Sequence, residues 1–332
     1  MIIGITYDLR QDYLEMGYTE LETAEFDSIE TIEAIETALQ DLGHETQRIG
    51  NGIRLTQRLV QGERWDLVFN IAEGLHGIGR EAQIPAILDL YNIPYTFSDP
   101  MVMAVTLHKG MTKHIVRDAG FATADFKVAH TAWDASNVPF DPPFFVKPVA
   151  EGTGMGITAK SVVENALDLP GVCKELVEQF QQPVLIEEFL TGREFTVGIV
   201  GTGTRAQVMG TMEIIVLSSK RDEVYSFENK EGWKSKVQYQ PLSPETDPLI
   251  QAVEDLALSA WNVLGCRDGG RIDIRCDTAG KPNFIEVNPL AGLRPEYSDL
   301  PIVCHFFGTS YVQLIERILE SALERLPVLE TA

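Results

Sequence analysis

The stretch that most constrains this chain is GGRIDIRCDTAGKPNFIEVNPLAG, residues 269–292. Two strand-forming runs, RIDIRCD and PNFIEVN, flank the turn segment Thr278-Ala279-Gly280-Lys281. A hairpin centred on Ala279-Gly280 sets Asp273 opposite Glu286 and Arg271 opposite Asn288. Alternation then puts Arg271, Asp273, Arg275, Glu286 and Asn288 on one face. Ile272, Ile274, Cys276, Ile285 and Val287 fall on the other, expected to be buried. A bulge would break this pattern, because a one-residue slip sends each side chain to the opposite face. Facing carboxylates about 5 Å apart repel one another. A hard divalent cation relieves that repulsion, and Mg²⁺ favours one or two carboxylates, waters and phosphate oxygens. Asn288 adds a neutral oxygen and Arg271 a fixed positive charge. The alternative is an ordinary hairpin with a solvated polar face.

At 332 residues the chain exceeds one typical core, so two or three domains are expected. A net charge of −22, from 27 basic and 49 acidic residues, argues against a general binder of nucleic acid or anionic membranes. Anionic ligands can still be held where the few basic residues converge. No apolar run of about 18 residues suggests a membrane span, and MIIGITYDLRQDY does not read as a signal peptide. Cys173, Cys266, Cys276 and Cys304 lack metal-type spacing. They fit reduced core residues of a cytoplasmic protein.

The N-terminal region alternates strand and helix patterns, which predicts a parallel α/β domain over residues 1–104. Asp27-Ser28-Ile29-Glu30 reads as a capping box, and Ile29, Ile32, Ile35, Leu39 and Leu42 follow at helical spacing. IPYTFS reads as a further strand. The loop GLHGIGREAQ lies where parallel sheets bind ligands, with Glu81 entering the next helix. As an alternative it is a plain flexible turn.

A boundary is expected near residue 105, ahead of a helix over 106–120. PFFVKP is an apolar strand carrying Lys147, followed by Glu151-Gly152-Thr153-Gly154-Met155-Gly156. Such a loop can fold its amides over phosphates, though it is neither a P-loop nor a dinucleotide fingerprint. Lys147 either meets a phosphate there or reaches solvent, and burying it without an anion would be costly. A helix over 161–179 leads to PVLIEEFL and to two strands of a meander. The segment 226–239, with Lys230, Lys234 and Lys236, reads either as a lid or as an exposed loop. Helices are expected over 248–265 and 309–326.

The order of these features resembles the ATP-grasp superfamily, and within it the D-alanine–D-alanine ligase-like family. The likeness covers most of residues 65–325 and is strongest in FFVKPVAEGTGMGI, VLIEEFLTGREFTV, GRIDIRCD and FIEVNPLAG. It implies an ATP-grasp fold, mixed α/β and α+β, behind the parallel N-terminal domain. The implied limits are 1–104 for the N-terminal domain, 105–190 for the central subdomain and 191–332 for the C-terminal subdomain with the hairpin. It implies that Lys109 and Lys147 contact nucleotide phosphates under Gly152, Gly154 and Gly156. Lys230 matches the lid lysine near the γ-phosphate. Glu187, with Glu188 and Leu190 behind it, matches the adenine-facing strand, and Glu194 the ribose-binding glutamate. Asp273, Glu286 and Asn288 match ligands of two Mg²⁺ ions, with Mn²⁺ as an alternative. Arg271 matches the arginine that stabilises the anionic intermediate, with Thr153 in the glycine loop. His76 and Glu81 match a segment near the first substrate.

The implied activity is ATP-dependent ligation of a carboxylate to an amine through an acyl phosphate, with amino-acid or amine substrates and a homodimer as the family habit. The sequence also departs from the family. The segment after the first strand, DLRQDYLEMGYTELETAEFD, is longer and different. The usual serine pair of the glycine loop is Thr153-Gly154, and Glu231 follows the lid lysine. Pro289-Leu290-Ala291-Gly292-Leu293-Arg294 replaces the usual run after the metal asparagine, with Tyr297 near a substrate serine position. Arg294 either binds an acidic group of the acceptor or is a surface arginine. Three functions therefore stand: a ligase with other substrates, a true D-alanine–D-alanine ligase, and an ATP-binding protein or kinase without ligation.

Overall fold

The structure, a computed structural model, describes residues 1–217 and 237–326. Among them, three sheets follow one another along the chain. The first is parallel, in the order β2 (Glu45–Gly50), β1 (Ile2–Thr6), β3 (Leu67–Asn70). Helix Ile29–Asp41 packs Ile32, Ile35 and Leu39 against Ile3, Ile5 and Phe69. Ser28 caps that helix without a side-chain hydrogen bond, so the expected capping box does not form. The expected strand IPYTFS shrinks to one bridge between Tyr95 and Val68. Phe97 takes a φ of 71° and its N–H donates to Asp268 Oδ2 at 2.7 Å, which turns the chain away from the ladder.

The helix expected over 106–120 is two helices, Pro100–Leu107 and Lys109–Asp118. Asp99 caps the first, with Pro100 at its start, and the limit expected near residue 105 falls inside it. The second sheet is antiparallel, in the order β4 (Phe126–Ala129), β7 (Val184–Glu188), β5 (Phe144–Pro148), β6 (Val162–Val163). Helix Leu169–Phe180 begins later than expected, because a short 3₁₀ turn and β6 occupy residues 159–163.

The third sheet runs β10 (Val237–Leu242), β9 (Gln207–Val216), β8 (Glu194–Val200), β11 (Gly269–Cys276), β12 (Pro282–Asn288). Helix Leu249–Leu264 packs Ile250, Val253, Ala257 and Trp261 against its core. Helices Asp299–Phe306 and Tyr311–Leu323 complete the described residues; the first was not anticipated. Of the expected lid over 226–239, residues 237–239 belong to β10, and Lys230, Glu231, Lys234 and Lys236 lie outside the described residues. All four cysteines are buried and free. Among the described residues, no helix is long and apolar enough to cross a membrane.

The β11–β12 hairpin pairs Asp273 with Glu286 and Arg271 with Asn288, as the turn chemistry predicts. It arrives there by two irregularities that cancel. The turn closes below Cys276 and Pro282, with Asp277 N–H donating to Lys281 O and Gly280 at φ 82°. That loop shifts the register by one residue relative to a turn centred on Ala279-Gly280. A bulge between Asp273 and Ile274 then leaves Ile285 unpaired and restores the pairing of the acids. The expected burial of Ile285 is therefore wrong: Phe284 fills the core at 0% exposure, and Ile285 joins a cavity wall.

Gly270 lets the hairpin close on the helix above it. A Cβ at this position would stand 2.5 Å from Asn288 O and 2.8 Å from the Trp261 ring. We expect Gly270→Ala to destabilise the fold by about 1–3 kcal/mol through overpacking, read from the urea midpoint. An unchanged midpoint would show that the contact yields freely.

Candidate active site

Two cavities meet between the second and third sheets. The smaller, about 110 Å³, is bounded by Lys147, Glu187, Glu188, Leu190, Glu194, Asp273 and Glu286, with Thr153 and Gly154 from the glycine loop. Its apolar wall holds Phe145 and Phe189, whose rings stack at 6.0 Å. The larger, about 210 Å³, is bounded by Glu81, Lys109, Gly152, Asn288, Arg294 and Tyr297. Thr153 and Arg271 line both, so they mark the junction.

An alternating chain of charge runs from the buried Lys113 through the wall of the smaller cavity to Lys109 of the larger one. Lys113 Nζ lies 2.5 Å from Glu187 Oε1, and Lys147 Nζ 3.4 Å from Glu187 Oε2. Lys147 Nζ also donates to Glu286 Oε2 at 3.0 Å, with Lys109 Nζ 3.8 Å from the same oxygen. Lys109 donates to Glu151 O at 2.6 Å. Burial opposes charge on Glu286, yet Lys147, Lys109 and Arg271 outweigh it and hold the carboxyl well below its usual range. Glu187 is lowered in the same sense against burial, by Lys113 and Lys147. Glu194 stands 3.4 Å from Arg275.

Asp273 accepts from Arg271 Nη1 at 2.5 and 2.7 Å and from Thr196 Oγ1 at 2.8 Å. Burial, with Glu286 and Asp299 nearby, still raises it to about 6. The facing acids expected to need a cation are thus already met, in part, by protein cations: Arg271 for Asp273, Lys147 and Lys109 for Glu286. They also fit a metal. Both are hard oxygen donors, and the adjacent Asn288 amide is not pinned, its buried Nδ2 having no hydrogen-bond partner. No group of three or more His, Cys, Asp or Glu side chains among the described residues could hold an ion alone. Phosphate and water oxygens would have to complete the shell.

Glu81 is 8% exposed in the wall of the larger cavity, and burial with Glu25 nearby raises it to about 7. His76 is not brought to the cavity; it is exposed in the loop, its carbonyl accepting from Gln83. Gly156 lies outside both linings and seats against Pro148 and Phe180, where a Cβ would come within 2.6–2.9 Å. Arg294 lies over the Tyr297 ring at 5.1 Å.

Several residues of the site were not foreseen. Lys113 is fully buried one turn after Lys109 on one helix, so the spacing alone could have flagged it. Arg80 donates to Ala150 O at 2.9 Å and to Glu25 Oε2 at 2.5 Å, while Gly152 N–H donates to Glu25 Oε1 at 2.6 Å. These contacts tie the N-terminal segment to the glycine loop. Glu25, Asp27 and Glu73 also line the larger cavity; no sequence pattern marks Glu25 or Glu73, and Asp27 was read only as part of a helix cap.

Two expectations follow. Lys113→Met should cost about 3–5 kcal/mol, because Glu187 stays buried with one cation fewer, and adding Glu187→Leu should restore part of that loss. Urea denaturation of both variants is the check, and a single variant as stable as the wild type would contradict the pairing. The second concerns pH. Asp27 and Glu81 are raised to about 7 and Asp273 to about 6, so the folded state binds more protons than the unfolded chain. Stability from these groups is present below their unfolded values and lost as pH rises through 6 and 7. Without ligands the protein should be more stable at pH 5.5 than at pH 8 by roughly 1–3 kcal/mol. The opposite slope in thermal melts would contradict it.

Comparison with known proteins bears on the family and the fold. The family described as "D-ala D-ala ligase C-terminus" matches residues 115–320. A D-alanine–D-alanine ligase of Aquifex aeolicus is 31% identical over 293 residues, covering 88% of this chain and 94% of that protein. The fold matches the ATP-complexed D-alanine–D-alanine ligase of Bacillus anthracis with a TM-score of 0.74 at 21% identity, over 98% of both chains. It also matches the VanG D-Ala:D-Ser ligase of Enterococcus faecalis with a TM-score of 0.73 at 18% identity, over 97% of this chain and 99% of that one. The chain belongs to the D-alanine–D-alanine ligase family of ATP-grasp enzymes, ATP-dependent ligases that form carbon–nitrogen bonds.

Proposed function

We propose that the smaller cavity takes the nucleotide, the larger takes the two substrates to be joined, and phosphoryl transfer occurs where Thr153 and Arg271 line both. The single observation that carries this reading is that junction. A carboxylate oxygen of the first substrate attacks the γ-phosphorus of ATP, the bond to ADP breaks, and an acyl phosphate forms. The second substrate's neutral amine then attacks the acyl carbon, the carbon–oxygen bond to phosphate breaks, and the nitrogen loses a proton.

The chain's part is positioning and neutralisation, which is what phosphoryl transfer demands. Lys147 and Lys109 lie within reach of Glu286 and are free to turn to phosphate oxygens entering between them. Arg271, held by Asp273, presents fixed positive charge at the junction, where the tetrahedral oxyanion develops. The Thr153 hydroxyl is buried without a hydrogen-bond partner beside it. Glu188, Leu190 and Glu194 border the nucleotide, with Phe145 and Phe189 as its apolar bed. Asp273, Glu286 and Asn288 would hold Mg²⁺, which supplies charge neutralisation for the phosphates when bound. By the family likeness Lys230, outside the described residues, is a further candidate to meet the γ-phosphate.

Segments 1–104, 105–190 and 191–332 act as the three domains of a cytoplasmic, homodimeric enzyme. One sheet per segment supports that division, with helix Pro100–Leu107 spanning the first limit. The substrates are small amino acids or amines. The relatives' names favour two D-alanines. The replaced run after Asn288 favours a different pair, since Pro289, Leu290, Ala291 and Gly292 themselves line the larger cavity.

Phosphate release from ATP with Mg²⁺, measured over single and paired amino acids, decides between them. Turnover with D-alanine alone would establish that pair. Tight ATP binding without turnover for any pair would remove the ligase assignment. Glu286→Gln should lower the rate at least about a hundredfold. Unchanged activity in that variant would exclude Glu286 from the catalytic metal site.

A further inference from the structure

The glycine loop contains a backbone conformation that needs holding. Thr153 takes a φ of 49°, in the left-handed region that a β-branched residue rarely adopts. It lines both cavities, and its buried hydroxyl has no hydrogen-bond partner among the described residues. Such a conformation persists where the surroundings over-determine it. Here the three residues before Thr153 are each fixed from outside the loop. Ala150 N–H donates to Gln182 Oε1 at 2.7 Å, and Ala150 O accepts from Arg80 Nη1 at 2.9 Å. Glu151 O accepts from Lys109 Nζ at 2.6 Å. Gly152 N–H donates to Glu25 Oε1 at 2.6 Å, and a Cβ on Gly152 would stand 2.5 Å from that oxygen.

Arg80 organises that set. Its side chain is 8% exposed and reaches Ala150 O, Glu25 Oε2 at 2.5 Å and Glu151 Oε2 at 3.5 Å. The guanidinium therefore grips the loop directly through Ala150, and indirectly through Glu25, whose other oxygen holds Gly152 N–H. Only a planar fork does both; a lysine ammonium carries the charge without the fixed pair of donors. Arg80 opens the 3₁₀ turn Arg80–Ala82, and the next residue, Glu81, lines the larger cavity together with Glu25. Arg80 itself stands behind that wall, outside both linings. One side chain thus joins the wall of the larger cavity to the loop that borders both.

We propose that Arg80 is a positioning residue for phosphoryl transfer: it locks the glycine loop to the wall of the substrate cavity, so that Thr153 is held where the reacting carboxylate meets the γ-phosphate. This rests on the assignment of the two cavities above. Phosphoryl transfer depends on alignment, and a misplacement of about 1 Å can cost about a hundredfold in rate. Loss of the fork therefore slows transfer far more than it weakens nucleotide binding, because Phe145, Phe189 and Lys147 are not among its contacts.

The test compares the full-length wild type with Arg80→Met and Arg80→Lys; the second keeps the charge and serves should the first not fold. Phosphate release from ATP with Mg²⁺ and the fastest pair of amino acids gives kcat and KM for ATP. Calorimetry with the β,γ-imido analogue of ATP and Mg²⁺ gives nucleotide binding, and hydrogen exchange of residues 149–157 reads the loop without turnover. Arg80→Lys should lower kcat at least about tenfold while KM for ATP and analogue affinity stay within about threefold. Exchange of residues 149–157 should quicken at least about tenfold, with the β11–β12 hairpin unchanged. A kcat that stays at the wild-type value overturns the proposal, as does loop exchange that does not change. A loss of analogue affinity as large as the loss of kcat overturns it too, since Arg80 would then build the nucleotide site rather than align the reaction. No phosphate release by the wild type with any pair defeats the ligase reading instead, and loop exchange with the analogue bound still decides whether Arg80 anchors the loop.

Discussion

The interaction on which the rest depends is the buried alternation Lys113, Glu187, Lys147, Glu286, Lys109. Its members come from one helix and from β5, β7 and β12, so it joins the second sheet to the third. Burying such charges is costly, and a pair of this kind is a poor source of net stability. What it supplies is arrangement. Lys147 and Lys109 line the two cavities beside Glu286, Lys113 is fully buried against Glu187, and each carboxylate stays ionised because lysines flank it. On the proposed reading, an arriving polyphosphate would meet cations already desolvated, with little reorganisation left for the reaction itself.

That alternation also explains why the facing acids of the hairpin coexist. Asp273 and Glu286 stand directly across from one another, but each leans on a different cation, Arg271 for one and Lys147 for the other. Asp273 and Glu286 would hold a metal through these same oxygens, and the ion would supply charge neutralisation for phosphates, while Lys147 beside Glu286 supplies fixed positive charge of its own.

The hairpin was legible because period-two alternation and a Gly-containing turn determine which residues face each other. Ile285 was not, because a turn offset and a bulge cancel at Asp273 and shift only the residues between them. Helix Pro100–Leu107 was missed for another reason. Its sequence PMVMAVTL is apolar all round and shows no helical stripe, although Asp99-Pro100 did announce a start. Lys109 and Lys147 could be read from local context. Glu25 and Arg80 could not, since their roles arise only when segments 55 residues apart close on the glycine loop.

The two cavities differ in how their charge is settled, and this bears on specificity. In the smaller cavity, proposed for the nucleotide, Glu187 has Lys113 and Lys147 beside it, Glu286 has Lys147 and Asp273 has Arg271. That half is complete in itself and suits a cosubstrate common to the whole family. On the other side Glu25 is neutralised by Arg80, while Asp27, Glu73 and Glu81 are left without ion pairs among the described residues. These groups sit on the segment after β1 and on the loop after β3. Unpaired buried charge disfavours an uncharged or anionic group more strongly than apolar shape does, because a mismatch leaves a desolvated carboxylate with nothing in exchange. On the proposed reading, discrimination among substrates falls to the larger cavity, whose lining is shared by the N-terminal carboxyls and the run Pro289-Leu290-Ala291-Gly292 that follows the hairpin.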